Sequence, residues 1–399
     1  MSVSFNPRVA SMQVSATLAM SGRAKQLRRR GADVIALSAG EPDFNTPEPI
    51  AEAGMQAIRD GFTRYTQNAG MLPLREAICA KFQEDNELSY APSQILCSNG
   101  AKQSVALAVC VLTAEGDEVL IPAPYWVSYP EMTRFAGATP VIVRTGTETD
   151  YRLTPAVLEA AITPRTRVLI LCSPSNPTGS VYSRSELAAL AEVLQRHERI
   201  MVVSDEIYEH VIYDAEHTPI AALPGMQERT VTVNGFSKCF AMTGWRLGYM
   251  AAPQEVVAQA AKLQGQLTSA PCSISQKAGL AALQMDKAPL RHMVAAFRER
   301  RDYMLACLRA LSGVDCPKPE GAFYLFPQVA SYFGCTAPSG RQISDSNDLG
   351  FYLLEEHHVA LVPGVAFGDP NGIRLSYAAS MEDLKAAMGR IEHALALLS

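Results

Sequence analysis

The stretch Val231-Thr-Val-Asn-Gly-Phe-Ser-Lys-Cys-Phe-Ala-Met-Thr-Gly-Trp-Arg-Leu-Gly-Tyr249 decides how the 399-residue chain is read. Its first part, Thr230 to Val233, is rich in β-branched residues and predicts a strand. Asn234 and Gly235 end that run, which puts Ser237 and Lys238 on the turn past the strand's carboxyl end. In open α/β sheets, ligands bind in the crevice at that edge. Phe236, Cys239, Phe240 and Met242 flank Lys238, and desolvation lowers an amine's pKa toward its nucleophilic form. Eight residues on, Arg246 carries a planar fork of donors suited to a phosphate. A lysine in a turn is more often a solvated surface group, so the whole string rather than Lys238 alone carries the reading.

Working outward, the chain is long enough for two domains, and 48% of it is hydrophobic, enough for a substantial core. A net charge of −5 and the lack of a long basic tract give no sign of a nucleic-acid partner. No run of 18 apolar residues suggests a membrane span. The nine cysteines are scattered, with no CxxC pair and no Cys/His cluster at metal spacing. They read as reduced cytoplasmic thiols, with neither a disulfide frame nor a metal site expected. The first 32 residues hold five Arg, one Lys and no acidic residue, which mimics an organelle transit peptide. They are read instead as part of the mature protein, with Gly22 to Arg30 the solvated face of a basic helix.

Five further apolar runs precede the central stretch: Ile95 to Ser98, Val119 to Ile121, Val141 to Val143, Val168 to Cys172 and Met201 to Val203. Amphipathic segments lie among them; Leu187, Leu190, Val193 and Leu194 share one helical face. This β-α alternation predicts an α/β fold with a largely parallel sheet between helices. The turns that end these runs are distinctive: Gly100-Ala-Lys-Gln103, Pro122-Ala-Pro-Tyr-Trp126, Ser173-Pro-Ser-Asn-Pro-Thr-Gly179 and Ser204-Asp-Glu-Ile-Tyr208. Each alone is an ordinary turn or helix cap. Together with Ser237-Lys238 they gather polar and aromatic groups at one sheet edge. A glycine turn opening a helix at Ala101 offers unpaired N–H groups to an anion, although there is no GxGxxG or GxxxxGK. Beyond Ala251, helices run to about Leu311, including the charged Phe297-Arg-Glu-Arg-Arg-Asp302, expected to be a solvated face. The remainder reads as a small α+β domain whose strand Gly372 to Tyr377 holds Arg374 among apolar neighbours, where it needs an anionic partner.

The string Ser-Lys followed by Met-Thr-Gly-Trp-Arg-Leu-Gly resembles the Schiff-base segment of the class I and II aminotransferases, the fold-type I pyridoxal-phosphate enzymes. The likeness runs from about Val14 to the C-terminus and is greatest to bacterial aspartate and aspartate/prephenate aminotransferases. It implies a large domain with a mostly parallel seven-stranded sheet (47–290) and a smaller α+β domain (291–399). Residues 1–46 would contribute to the small domain and the active-site mouth. Lys238 would carry the pyridoxal 5′-phosphate and shuttle protons, Asp205 would pair with the pyridine nitrogen, and Asn176 and Tyr208 with the phenolic oxygen. Trp126 would stack on the ring. Backbone N–H groups of Ala101 and Lys102 would hold the phosphate, with Ser237, Arg246 and Tyr65 of the partner subunit, in a homodimer with shared sites. Arg374 would clamp the substrate α-carboxylate near Gly40, Trp126 and Asn176, and Lys102 and Thr17 would meet a distal carboxylate. The second substrate arginine of animal-type aspartate enzymes has no counterpart here. Aspartate with 2-oxoglutarate is the expected pair, with prephenate as a further substrate. An aromatic or neutral amino acid aminotransferase, or a C–S lyase of the same fold, is the alternative. A DNA-binding regulator built on this fold finds no room before Val14.

Overall fold

The computed structural model describes residues 3–13 and 16–399, with the side chains of residues 16–18 also outside the description. Twelve strands are formed by the described residues. The first eight are β1 (Ile35–Ala36), β2 (Ile95–Ser98), β3 (Glu118–Ala123), β4 (Thr139–Arg144), β5 (Thr166–Cys172), β6 (Met201–Asp205), β7 (Thr230–Gly235) and β8 (Gly248–Ala251). The remaining four are β9 (Tyr324–Leu325), β10 (Val359–Ala360), β11 (Val362–Pro363) and β12 (Ile373–Ser376).

Seven of them build one sheet in the order β2-β8-β7-β6-β5-β3-β4. The pairs β3·β4, β3·β5, β5·β6 and β6·β7 are parallel, whereas β8 runs antiparallel to both β7 and β2. The period of two in β5 sends Val168 and Ile170 to one face and Leu169 and Leu171 to the other. The helices Ala101–Leu112 and Gln254–Leu267 cover the first face, and Arg184–Gln195 covers the second. That last helix buries Leu187, Leu190, Val193 and Leu194, as their spacing predicts. Its start is fixed by a capping box: Glu186 N donates to Ser183 Oγ and Ser183 N to Glu186 Oε2, an arrangement worth about 1 kcal/mol.

Strand β8 is not visible in the amino-acid pattern, because Gly-Tyr-Met-Ala is short and lacks alternation. Its glycine is required by a close approach: a Cβ on Gly248 would collide with the amide of Ala101 and the carbonyl carbon of Gly100. That contact brings the start of the helix Ala101–Leu112 up against the sheet edge.

In the second body, β11-β12-β9 form an antiparallel sheet, and β1 from the N-terminal segment pairs in parallel with β10. Its core includes Phe297, Phe323, Leu353, Leu375 and Tyr377, and it continues into Ile207, Tyr208 and Val211 from the turn after β6. The helix Ala16–Arg29 buries Met20 and Ala24 and exposes Gly22, Lys25 and Arg29, but Arg23 pairs with Glu355 and Arg28 donates to Val34 O, so the expected solvated basic face holds only in part. The expectation for Phe297–Asp302 fails in part. Glu299 and Asp302 face solvent, but Arg301 is only 1% exposed, donating to Pro319 O and pairing with Asp214 and Asp302. Arg300 forms a two-pronged pair with Asp43. Asp302 is the chain neighbour of Arg301, but Asp214 and Asp43 come from distant segments, so local sequence gives no sign of those two pairings. Among the described residues no helix is long and apolar enough to cross a membrane.

Candidate active site

The parallel strands all deliver their carboxyl ends to one edge, and a cavity of about 600 Å³ opens there. Trp126 follows β3, Asn176 follows β5, Asp205 ends β6 with Tyr208 just beyond, and Ser237 and Lys238 follow β7. Gly40, Ala101, Lys102, Arg246 and Arg374 also line it, and the basic Lys25 and Arg28 of the N-terminal helix reach it too. Eleven residues singled out from sequence thus meet in one space: Gly40, Ala101, Lys102, Trp126, Asn176, Asp205, Tyr208, Ser237, Lys238, Arg246 and Arg374. Tyr65 does not join them, being 97% exposed and outside the cavity lining; the Thr17 side chain lies outside the described residues.

Lys238 Nζ donates to the carbonyl of Gly40 and lies 5.8 Å from the ring centre of Tyr208 and 5.9 Å from that of Phe323. Burial, reinforced by Arg374, lowers its pKa to about 8. The rings over the amine therefore come from distant segments. Phe236, Cys239, Phe240 and Met242 pack into the core with Leu247 and Tyr249. The desolvation inferred from sequence exists, with different residues supplying these rings.

Asp205 is buried, accepting from Tyr129 Oη at 2.7 Å and from the amide of Ile207 at 3.3 Å. Burial pushes its carboxyl up to about 6, against the pull of those donors and of Lys238. The turn that carries it is gripped from behind. Glu206 accepts from Ser204 Oγ and meets His217 Nε2 at 2.9 Å, while Glu209 pairs with the buried Lys81. Glu206, Glu209 and His217 lie close enough together to ligate a metal, a cluster the sequence did not suggest; Lys81 is the cation held there.

Arg374 is 2% exposed, yet among the described residues its donors reach only neutral oxygens: Asn176 Oδ1 at 3.0 Å and the carbonyl of Ser38 at 2.8 Å. Its Nε has no partner, and its guanidinium lies 4.5 Å over the Tyr324 ring and 5.1 Å over that of Phe367. Burial lowers its pKa. A buried guanidinium without a counter-ion is costly, and a carboxylate entering the cavity would relieve that cost.

The start of the helix Ala101–Leu112 lines the same cavity. Gly100 has φ +85°, and a Cβ there would lie 2.5 Å from Arg246 Nη2, so glycine is what lets the guanidinium approach the helix start. No side chain caps the helix Ala101–Leu112; Gln103 N donates back to Gly100 O, and the amides of Ala101 and Lys102 precede the first intrahelical bonds. Ser237 and Arg246 border the same corner of the cavity. Arg246 is steered by Thr243 O and Asn99 O. Lys102 turns its amine toward the Trp126 ring at 5.1 Å, and burial with Arg246 nearby lowers its pKa.

Sequence reasoning missed Tyr129 and Tyr324, both buried in the cavity wall. Tyr129 opens the helix Tyr129–Ala136 just past the Pro122–Trp126 turn, and that closeness in sequence was the available signal. Tyr324 lies in Gly321-Ala-Phe-Tyr-Leu-Phe326 and carries no local signal beyond a strand pattern.

A lysine, a buried aspartate and an unneutralised arginine converging beside a helix N-terminus match a known family. The family model for aminotransferase class I and II fits residues 32–391. The chain belongs to this family. This aminotransferase is 55% identical over 397 residues to the bifunctional aspartate aminotransferase and glutamate/aspartate-prephenate aminotransferase of Petunia hybrida, covering 98% of this chain and 83% of that one. It resembles the crystal structure of the aspartate aminotransferase from Rhizobium meliloti with a TM-score of 0.96 at 44% identity, each chain covered in full. The Thermus thermophilus aspartate aminotransferase solved with maleate gives a TM-score of 0.92 at 42% identity, over 98% of this aminotransferase and 100% of that chain.

Proposed function

We propose that this aminotransferase uses pyridoxal 5′-phosphate to move the amino group of aspartate to 2-oxoglutarate, giving oxaloacetate and glutamate, with prephenate as a further acceptor. The observation that carries the reading is Arg374, a buried guanidinium without a carboxylate partner, facing the same cavity as Lys238 and Asp205. The residues fit the cofactor: the Gly100–Lys102 turn with Ser237 and Arg246 suits a phosphate, and buried Asp205 lacks a cation that a protonated pyridine nitrogen would supply. When bound, pyridoxal phosphate supplies an aldehyde that takes up the substrate amine and a ring that accepts the electrons left by the departing Cα proton.

Lys238 Nζ, with a pKa near 8, would hold the cofactor at rest, then take the proton from the substrate Cα and later return it. Asp205 would keep the pyridine nitrogen protonated. Asn176 and Tyr208 would face the phenolic oxygen and Trp126 the ring plane. Arg374 would grip the α-carboxylate in two parallel hydrogen bonds, which fixes the Cα–H direction. Lys102, and Thr17 beyond it, would meet a second carboxylate. Dicarboxylate use is favoured by the names of the relatives and by maleate, a dicarboxylate, in one of the solved structures.

Residues 47–290 would form the cofactor-binding domain, and 291–399 the small domain, joined by the segment 1–46. Two such chains would pair so that Tyr65 of the partner subunit reaches the phosphate; its 97% exposure here fits that role. Nine free thiols suit a reducing cytoplasm.

The test is direct. Protein loaded with pyridoxal phosphate should absorb in the visible, change colour on adding glutamate, and form oxaloacetate from aspartate and 2-oxoglutarate. Faster turnover of alanine or phenylalanine than of aspartate, or thiol release from cystathionine, overturns the acidic-substrate reading.

A further inference from the structure

Tyr208 and Tyr324 meet through their hydroxyls at 2.8 Å, although 116 residues separate them in sequence. Their rings are edge-on, with centres 5.8 Å apart, and both are buried. Tyr324 is placed by the small antiparallel sheet: Ser376 pairs with Tyr324 and Leu375 with Leu325. Arg374 therefore lies on the same sheet face, diagonal to Tyr324, and its guanidinium covers the ring at 4.5 Å. On the other side, a Cβ added to Gly40 would sit 3.2 Å from the Tyr324 hydroxyl. Tyr324 is thus wedged between the arginine, the Gly40 loop and Tyr208.

We propose that Tyr324 is a positioning residue, its hydroxyl donating to Tyr208 so that Tyr208 donates to the cofactor's phenolic oxygen. The inference rests on the reading that the cavity binds pyridoxal phosphate. A phenol has one hydrogen and can also accept. Once the Tyr208 hydrogen is committed to the cofactor oxygen, the 2.8 Å contact is a hydrogen bond only if Tyr324 supplies the proton. Hydrogen bonds in such a chain polarise one another, so the Tyr208 donor is strengthened by the bond it accepts. Burial pushes the Tyr324 hydroxyl up, and the Arg374 cation over its ring pulls it back down, which favours Tyr324 as the donor. The groups around the pair are Arg374, Lys238 and Cys172. A donor to the phenolic oxygen favours the deprotonated form of the bound cofactor and lowers the pKa seen in its visible absorption.

The experiment titrates the visible absorption of holoenzyme against pH for wild type, Tyr324→Phe, Tyr208→Phe and the double variant, with cofactor dissociation constants measured alongside. Tyr324→Phe keeps the ring under Arg374 and removes one oxygen. Its absorption pKa should rise by roughly 0.5 unit or more. In the Tyr208→Phe background the same change should add nothing, because the effect passes through Tyr208. An unshifted pKa in Tyr324→Phe, or equal shifts in both backgrounds, overturns the proposal. Wild-type protein that binds no cofactor and shows no titrating band would instead overturn the reading of the cavity itself.

Discussion

At the residue scale, two side chains carry the proposed chemistry. Lys238 is lowered to about 8 by burial. Lys238→Ala should abolish sustained transamination while the protein folds and binds pyridoxal phosphate noncovalently. Repeated turnovers by purified Lys238→Ala protein would remove the assigned role. Asp205 is the opposite case, an acid whose folded pKa rises from 3.8 to about 6. A raised carboxyl pKa stabilises the fold below 3.8, and that stability is lost as pH climbs through 6. Above pH 6 the buried carboxylate of the apoprotein carries a penalty of up to roughly 3 kcal/mol. Asp205→Asn should therefore make the apoprotein more stable than wild type at pH 8, with little difference near pH 4, as read by denaturant unfolding. The same variant, loaded with cofactor, should lose far more than tenfold in kcat. A rate within tenfold of wild type, about 1.4 kcal/mol, contradicts pairing with the pyridine nitrogen.

At the scale of elements, the start of the helix Ala101–Leu112 is where the proposed substrate choice is tested. A cation at a helix N-terminus is disfavoured by the dipole unless an anion lies near. Two anions could satisfy Lys102, the cofactor phosphate or a distal substrate carboxylate. On the substrate reading, the amine over the Trp126 ring would meet the distal carboxylate. Lys102→Ala should then lower kcat/KM for aspartate by about 10- to 150-fold, equivalent to a charge-assisted contact of roughly 1.5–3 kcal/mol. Phenylalanine, which has no distal charge, should change little. A uniform fall with weaker cofactor binding would assign Lys102 to the phosphate instead.

For the whole molecule, the question is whether the site is completed across a dimer. Tyr65→Phe should weaken cofactor binding by roughly tenfold through loss of one hydrogen bond to a charged group. Hybrids of Lys238→Ala and Tyr65→Phe chains provide the sharper check. Where Tyr65 crosses to the neighbour, each hybrid dimer holds one fully native site, with wild-type cofactor affinity and half the wild-type activity. Where Tyr65 serves its own chain, the working site of the hybrid retains the Tyr65→Phe defect.

The sequence by itself determined the sheet and its working edge. Apolar periodicity is a property of consecutive residues, and parallel β-α units put every strand's carboxyl end on one side. Trp126, Asn176, Asp205, Tyr208 and Lys238 could therefore be placed together before any contact was known. Strand β8 was hidden because four residues beginning with glycine carry no period. The charge run at Phe297–Asp302 was misread because Asp43 and Asp214, which bind Arg300 and Arg301, are remote in the chain. Only the tertiary structure decided that Arg374 donates to Asn176 Oδ1 and Ser38 O, that Tyr129 donates to Asp205, and that Tyr324 meets Tyr208. Each of these depends on how separately formed elements dock. Docking is set by the shape and burial of whole surfaces, which no short window of sequence contains.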